Sequence, residues 1–427
     1  MKRQRVLIVL AVIVGLVLVI VTPASAQDEP LTGPGLQGTV KAGTEPIEGV
    51  EFEVSQDGEV IGTDTTDAEG TWGVAVPVEG VYQVTIDIDT LPEGITLRNA
   101  DGSTIDREVV GGRPAAVIFA LQGEGTGPAV APDPTWKRLL NRGMIAITFG
   151  LLLAMAAVGL SLVFGVTGLV NFAHSEMVAF GAIITFALES ALPFPLPVIA
   201  LLGFGAGGLL GFTVEKGVFA PLRARKLNNI SLMVVSIGLA FVMRHLYLIY
   251  FGSEPRFFEG FGNQSSFSIG PISRPPKDYW ITGISFLVLL GVGLLLQKTK
   301  LGTSMRAVSD SRDLAESSGI NVKNTILWTW IAGSALAALG GVFLGLTQRI
   351  EWQMGERQLL LIFAAVTLGG LGSAYGAMVG GLAIGFASEL STFWLDNELK
   401  FLIALAALVI ILLVRPQGIL GVRERLG

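Results

Sequence analysis

The sequence contains no cysteine, which excludes disulfides, a lipidated N-terminal cysteine and thiolate metal sites. It has only two histidines, His174 and His245, so a histidine metal centre has little to draw on. No G-x-x-x-x-G-K-[ST] stretch occurs, so the chain does not itself cradle ATP in a P-loop. No Ser/His/Asp or metal constellation converges for a reaction, and no basic, aromatic-interleaved surface argues for nucleic acid. What the 427 residues do hold is apolar: 51% are hydrophobic, 55 are glycine and the mean hydropathy is +0.63. That is too apolar for an ordinary soluble protein, and several windows past residue 143 approach bilayer-spanning length. The fold class expected is a polytopic α-helical membrane protein.

The net charge of -6 conceals a split. Residues 27–135 hold 20 Asp+Glu against 4 Lys+Arg, whereas residues 136–427 hold 15 against 22. The N-terminus reads as an export signal over residues 1–26: "MKRQR" is a cationic start, Val6 to Val21 an apolar core, and Ala24-Ser25-Ala26 a cleavage pattern. The core is long, so an uncleaved anchor is the alternative, and either one places the next segment of the chain outside. Residues 36–122 then alternate apolar and polar side chains at period two, punctuated by Asp57-Gly58, Glu69-Gly70 and Glu79-Gly80. This predicts an exported all-β sandwich of short strands and tight turns. Its acidic side chains match no EF-hand spacing and read as a solvated surface rather than a metal site. Residues 123–135 are Gly/Pro-rich without period, as a linker is.

Length and charge thread the remainder through a membrane. Candidate spans cover about 144–166, 177–193, 195–214, 230–250, 280–297, 325–347 and 399–414, with a broken apolar segment over about 359–393. This is about 7–8 spans plus a glycine-rich re-entrant or broken-helix hairpin. Starting outside, the third span delivers Lys216, Arg223, Arg225 and Lys226 to the cytoplasm, and the fifth delivers Lys298, Lys300, Arg306, Arg312 and Lys323. With Arg415, Arg423 and Arg425 also inside, the 359–393 segment must enter and leave on one side. Gly369, Gly370, Gly372 and Gly376 in "TLGGLGSAYGAMVGG" would allow that turn. Lys137, Arg138 and Arg142 lie outside the first span and strain the scheme.

The stretches "GLSLVFGVTGLVNFAHSEMVAFGA", "VFAPLR", "LGTSMRAVSDSRDLAESSGINVKN", "FAAVTLGGLGSAYGAMVGGLAIGF" and "RPQGILG" occur in that order. Over residues 143–421 the chain resembles the LivH-type permease subunit of branched-chain amino acid ABC importers. The exported domain resembles prealbumin-like or carboxypeptidase-regulatory-like β-sandwiches, which implies no chemistry. The permease resemblance implies a multi-pass bacterial-type plasma (inner) membrane protein that is not an enzyme and carries no cofactor. Its implied partners are a second, LivM-like permease, two cytoplasmic ATPases that bind ATP, and an extracytoplasmic substrate-binding protein. "DLAESSG" matches the E-A-A-x-x-x-G pattern of such permeases at Asp313, Ala315 and Gly319, which makes residues 301–320 the expected ATPase coupling loop, with Arg306, Arg312 and Glu316 as its charged surface. The other reading of that loop is a solvated helix closed at Gly319. Two departures stand out: Ser175 replaces the glycine usual in "AHGE", and the β-domain is an addition. Urea and amide permeases share much of the pattern, so the substrate class stays open between them.

"LVNFAHSEMVAFGA" places Asn171, His174, Ser175 and Glu176 between apolar runs. One reading is local: Asn171 caps a new helix whose first turn holds Glu176 near the positive end of the dipole. The other is functional: Asn171, His174 and Ser175 share a face by i, i+3 and i+4 spacing and line the substrate path, while Glu176 points elsewhere. A proton-coupled secondary transporter would use His174 and Glu176 as a relay, and the "DLAESSG" loop argues against it. An anchored surface binding protein would not need so many spans.

Overall fold

The computed structural model describes residues 34–42, 45–56, 58–78, 80–92, 94–97, 103–109, 114–117, 119, 121–123, 134–192, 194–258, 264–395, 399–414 and 418–420. The export signal expected over residues 1–26, most of the linker, and Arg415, Arg423 and Arg425 lie outside the described residues. The chain divides near residue 133 into two compact units.

In the N-terminal unit the period-two alternation builds two principal sheets. Strand β1 (Gly35–Thr39) lies between β6 (Thr71–Ala75) and β10 (Pro114–Ala116), and the second sheet runs β5 (Glu59–Thr65), β4 (Glu51–Gln56), β7 (Gly80–Ile86), β9 (Thr104–Val109). Two short pairs, β2 (Lys41–Ala42) with β3 (Glu45–Pro46) and β8 (Ile95–Leu97) with β11 (Leu121–Gly123), flank them. Buried positions alternate along β4 and β7, as a sheet with one covered face requires. Phe52 of β4 stacks on Trp72 of β6 with ring centroids 4.2 Å apart, joining the two sheets through one core that also holds Leu36, Val54, Tyr82 and Val84. Gly58 and Gly70 turn at φ 85° and 74°, where a Cβ would be strained.

The C-terminal unit is helical. Among the described residues, five helices are long and apolar enough to cross a membrane: α1 (Thr135–Thr167), α3 (Leu196–Val214, continued through Ala224), α5 (Asn229–Phe251), α6 (Pro276–Lys298) and α9 (Val322–Thr347). The shorter helices α2 (His174–Ala191), α10 (Met354–Gly369), α11 (Ala374–Ser391) and α12 (Lys400–Val414) occupy the other apolar segments. A π-turn, Glu215–Phe219, joins α3 to α4 (Ala220–Ala224); there Arg223 pairs with Glu215, and Phe219 stacks on Trp330 of α9 at 4.8 Å. A short hairpin that the sequence pattern does not announce, β12 (Phe267–Ile269) with β13 (Ile272–Arg274), connects α5 to α6. Its register is pinned to α1 where Asn141 Oδ1 accepts the Ser273 N–H at 2.9 Å.

Helix α1 is the axis of this unit, with 89% of its most apolar stretch buried against 22% for α6. Small residues let neighbours approach it closely. A methyl group on Gly333 of α9 would lie 2.7 Å from the Gly159 carbonyl oxygen of α1. Without a hydrophobic drive between helices in lipid, such backbone contact supplies the dispersion that holds them. Helices α10 and α11 form the glycine hairpin, turning through Gly370 (φ 106°) and Gly372 (φ 81°), and the Gly369 and Gly376 backbones touch. The turn sits beside Gly165 near the end of α1, while Gly385 of α11 packs on Gly150. The hairpin therefore follows α1 over 15 residues, about 22 Å, which is deeper than a shallow re-entrant loop. The terminal motif closes on it, with Ile419 and Leu420 donating to the Leu368 and Gly369 carbonyls at 2.7 and 3.0 Å.

Candidate functional site

The break between α1 and α2 places the polar stretch. Gly168, at φ 67°, ends α1 in the left-handed conformation, and its N–H donates to the Phe164 carbonyl at 2.7 Å. The chain then doubles back along α1, and His174 Nε2 lies 2.9 Å from the Ala156 carbonyl oxygen. Ala156 is 11 residues before the end of α1, so α2 starts about 16 Å back along that helix. Unwound backbone at such depth needs protein partners in place of water. The Phe172 N–H donates to Ser236 Oγ of α5 at 3.0 Å, and the Ala173 N–H donates to Asn171 Oδ1 at 3.1 Å.

The expected helix start therefore shifts. Asn171 does not cap α2; its side chain serves Ala173 two residues on, and α2 begins at His174 with no side-chain cap. Asn171, His174, Ser175 and Glu176 are all buried, but their side chains diverge. His174 faces α1, Ser175 Oγ faces back to the Phe172 carbonyl at 3.5 Å, and Glu176 points away toward α5. Asn171 Nδ2, His174 Nδ1 and Glu176 Oε2 are buried without a hydrogen-bond partner.

Glu176 leads to three residues that sequence reasoning alone does not single out. Arg244 of α5 donates Nε and Nη2 to Glu176 Oε1 at 3.1 and 2.9 Å, and its Nη1 reaches Glu356 Oε2 of α10 at 2.7 Å. Tyr247 donates its hydroxyl to the Glu176 carbonyl at 2.9 Å. The N-termini of α2 and α10 meet here, since a methyl on Gly355 would stand 2.6 Å from the Ser175 carbonyl oxygen and 3.0 Å from Glu176 Oε2. Each helix start carries about +0.5 charge, so two of them with one guanidinium roughly balance the two carboxylates. A sequence signal existed: Arg244 is the lone charge within α5, and a charge in a span requires a partner. His245 stays at the surface, its Nδ1 2.8 Å from the Phe241 carbonyl.

The remaining expected residues form separate loci. Residues 301–320 make two helices rather than one, α7 (Lys300–Asp310) and α8 (Arg312–Ser317), broken at Ser311, whose Oγ accepts the Leu314 N–H at 3.4 Å. Arg306, Arg312, Asp313 and Glu316 are exposed and Ala315 is buried. Leu314, next to the buried Ala315, points outward at 69% exposure. Gly319 adopts φ 84°, and the Ile320 N–H closes on the Ala315 carbonyl at 3.0 Å. Gly369, Gly370, Gly372 and Gly376 form the α10–α11 turn already described. Among the described residues no group of three or more His, Asp or Glu could hold a metal ion.

Residues 144–413 match the family described as branched-chain amino acid transport system / permease component. The chain is 30% identical over 298 residues to the high-affinity branched-chain amino acid transport system permease protein LivH of Escherichia coli (strain K12), covering 64% of this chain and 93% of the relative. It is 30% identical over 301 residues to the BraD permease of Pseudomonas aeruginosa, covering 67% and 97%. A probable LivH permease of Methanocaldococcus jannaschii matches at 30% over 296 residues, covering 65% and 91%. No solved structure matches the chain. These relatives are membrane permeases and not enzymes, and the β-rich unit precedes the matched segment as an addition. A polytopic helical chain whose broken helix and all but the terminal motif fall within the matched residues 144–413 thus belongs to the family of branched-chain amino acid transport permease components.

Proposed function

We propose that the chain is the membrane-spanning permease subunit of an ATP-driven importer for branched-chain or related amino acids. The observation that carries this reading is the helix break at residues 168–173, which leaves Asn171, His174, Ser175 and Glu176 buried in the helical unit, His174 against α1 and Glu176 where α2, α5 and α10 meet. Polar and ionised groups in a span face a bundle interior or a water-filled route, and here they border the route the substrate takes. The exposed charges of α7 and α8 dock on two cytoplasmic ATPases. A second, LivM-like permease completes the route, an external binding protein delivers substrate, and the β-rich unit lies outside with the C-terminus in the cytoplasm.

The test is reconstitution of the chain with its partner permease, ATPases and binding protein in proteoliposomes. Leucine uptake that requires ATP and the binding protein is the expected result. Uptake of urea in preference to leucine would move the chain to the urea and amide permeases, and uptake driven by a proton gradient without ATP would refute the coupled reading.

A further inference from the structure

We propose that Glu356 holds, in the resting protein, the place on Arg244 that the α-carboxylate of an amino-acid substrate takes during passage, so that substrate opens the route by exchanging one carboxylate for another. The proposal rests on the amino-acid reading above and assigns a subsite to it.

The asymmetry of the ion cluster is the starting observation. Arg244 and Glu176 are buried, with side-chain exposures of 9% and 0%, whereas the Glu356 side chain is 50% exposed. Arg244 is fixed from one side by two bonds to Glu176 Oε1 and offers its remaining Nη1 to Glu356. Glu176 is fixed in turn, since it lies in the first turn of α2 and Tyr247 holds its backbone carbonyl. The pair Glu176–Arg244 is therefore the built part, and Glu356 is the part with room to leave. Arg244 lies seven residues from the end of α5, about 10 Å inside the span. A half-exposed carboxylate at that depth faces water or another protein surface rather than lipid chains.

The chemistry of an amino acid fits what Glu356 would vacate. Its α-carboxylate is the same group and can take the same 2.7 Å position on Nη1. Its ammonium needs an acceptor, and Glu176 Oε2 is buried with no partner beside that position, while the released Glu356 carboxylate is a second acceptor. The exchange of like for like leaves the charge count at Arg244 unchanged and gains little binding energy, which suits a site that must pass its substrate on rather than retain it. An apolar border for an aliphatic side chain is present. Phe241, three residues before Arg244 and 5.5 Å from its guanidinium, is 54% exposed, and Leu360, one turn beyond Glu356, is 54% exposed.

The test uses the reconstituted complex. Arg244→Gln is expected to lower leucine uptake by about tenfold or more, the scale of one charge-assisted bond, with Arg244→Lys recovering part of it. Glu356→Gln weakens the resting pair without changing shape and is expected to raise ATP hydrolysis in the absence of substrate by about threefold or more. Because the chain has no cysteine of its own, Glu356→Cys gives a single thiol on it. A charged, membrane-impermeant thiol reagent should modify that thiol, and loaded binding protein with ATP should slow the modification about fivefold or more. If wild type imports leucine and Arg244→Gln imports as well as wild type, or Glu356→Cys resists the charged reagent, the exchange is overturned while the permease reading stands. If the wild-type complex hydrolyses ATP and imports no amino acid, the underlying reading falls and takes the exchange with it.

Discussion

His174 Nε2 lies 2.9 Å from the carbonyl oxygen of Ala156, eighteen residues earlier in the chain and in the middle of the preceding helix. That contact fixes where α2 starts and sets the ring at the meeting point of α1 and α9, where a methyl on Gly159 would come within 3.1 Å of it. Removing the ring sacrifices one buried bond, about 1 kcal/mol. His174→Ala and Asn171→Ala are therefore expected to leave the permease complex assembled and to lower substrate uptake. Co-purification of the partner subunits beside an uptake assay separates the two effects, and loss of assembly in both variants would reduce this stretch to a structural cap.

Ser236 is the support for the unwound segment from α5. Its Oγ accepts the Phe172 N–H at 3.0 Å while its own proton goes to the Met233 carbonyl at 2.7 Å. Ser236→Ala leaves a part-buried N–H without that acceptor, at a cost of about 1 kcal/mol. A lowered melting temperature of the purified chain in detergent is the expected outcome, and an unchanged one would mean that another group takes that N–H.

Gly355 is where the two half-helices touch. Gly355→Ala puts a methyl 2.6 Å from the Ser175 carbonyl oxygen, so α2 and α10 must separate by several tenths of an ångström. Overpacking of this kind costs about 1–3 kcal/mol. It also lengthens the Arg244–Glu356 pair, which joins the same helices through α5. The variant is expected to lose thermal stability and to raise substrate-independent ATP hydrolysis in the assembled complex. Wild-type values of both would show that α10 shifts without consequence.

The membrane helices are legible in the sequence because apolar length is a one-dimensional signal, and the period-two pattern of β4 and β7 does the same for the strands. The hairpin glycines are readable for a similar reason, since a turn at φ 106° or 81° demands that residue. The start of α2 is not. Asn171 satisfies the local rule for a cap, yet the chain must first climb along α1 to reach Ala156, and only tertiary contact selects that path. Arg244 and Glu356 escape because their pairing joins residues 112 positions apart in sequence, a relation that no local period records. The expected face of Asn171, His174 and Ser175 requires a helix that starts at Asn171; with α2 starting at His174, Asn171 lies in the unwound segment, and only the fold shows that Glu176 points at the centre of the ion cluster.

The last prediction concerns coupling at α7 and α8. An importer must convert closure of its ATPases into movement of membrane helices, which takes a cytoplasmic element that is exposed on one side and anchored on the other. Helix α7 is anchored through Gly302, Met305 and Val308, and α8 through Ala315, while Arg306, Arg312, Asp313, Leu314 and Glu316 stay outside. Leu314 among charged neighbours is the composition of a docking surface, an apolar centre with a polar rim. Gly319 closes α8 at φ 84° with no heavy atom within 4 Å of the position a Cβ would take, so a substitution there acts through backbone conformation and not through crowding. Gly319→Val costs on the order of 1–2 kcal/mol because a β-branched residue resists the left-handed region, whereas Gly319→Asn is tolerated there. Asp313→Arg reverses one exposed charge with no change to the core. Both Asp313→Arg and Gly319→Val are expected to preserve insertion and pairing of the permeases and to abolish substrate-stimulated ATP hydrolysis, with Gly319→Asn retaining most of it. Normal stimulation in both would leave α7 and α8 as a connector between α6 and α9, and the ATPases would then have to engage the exposed basic residues Arg225 and Lys226 just past the end of α4.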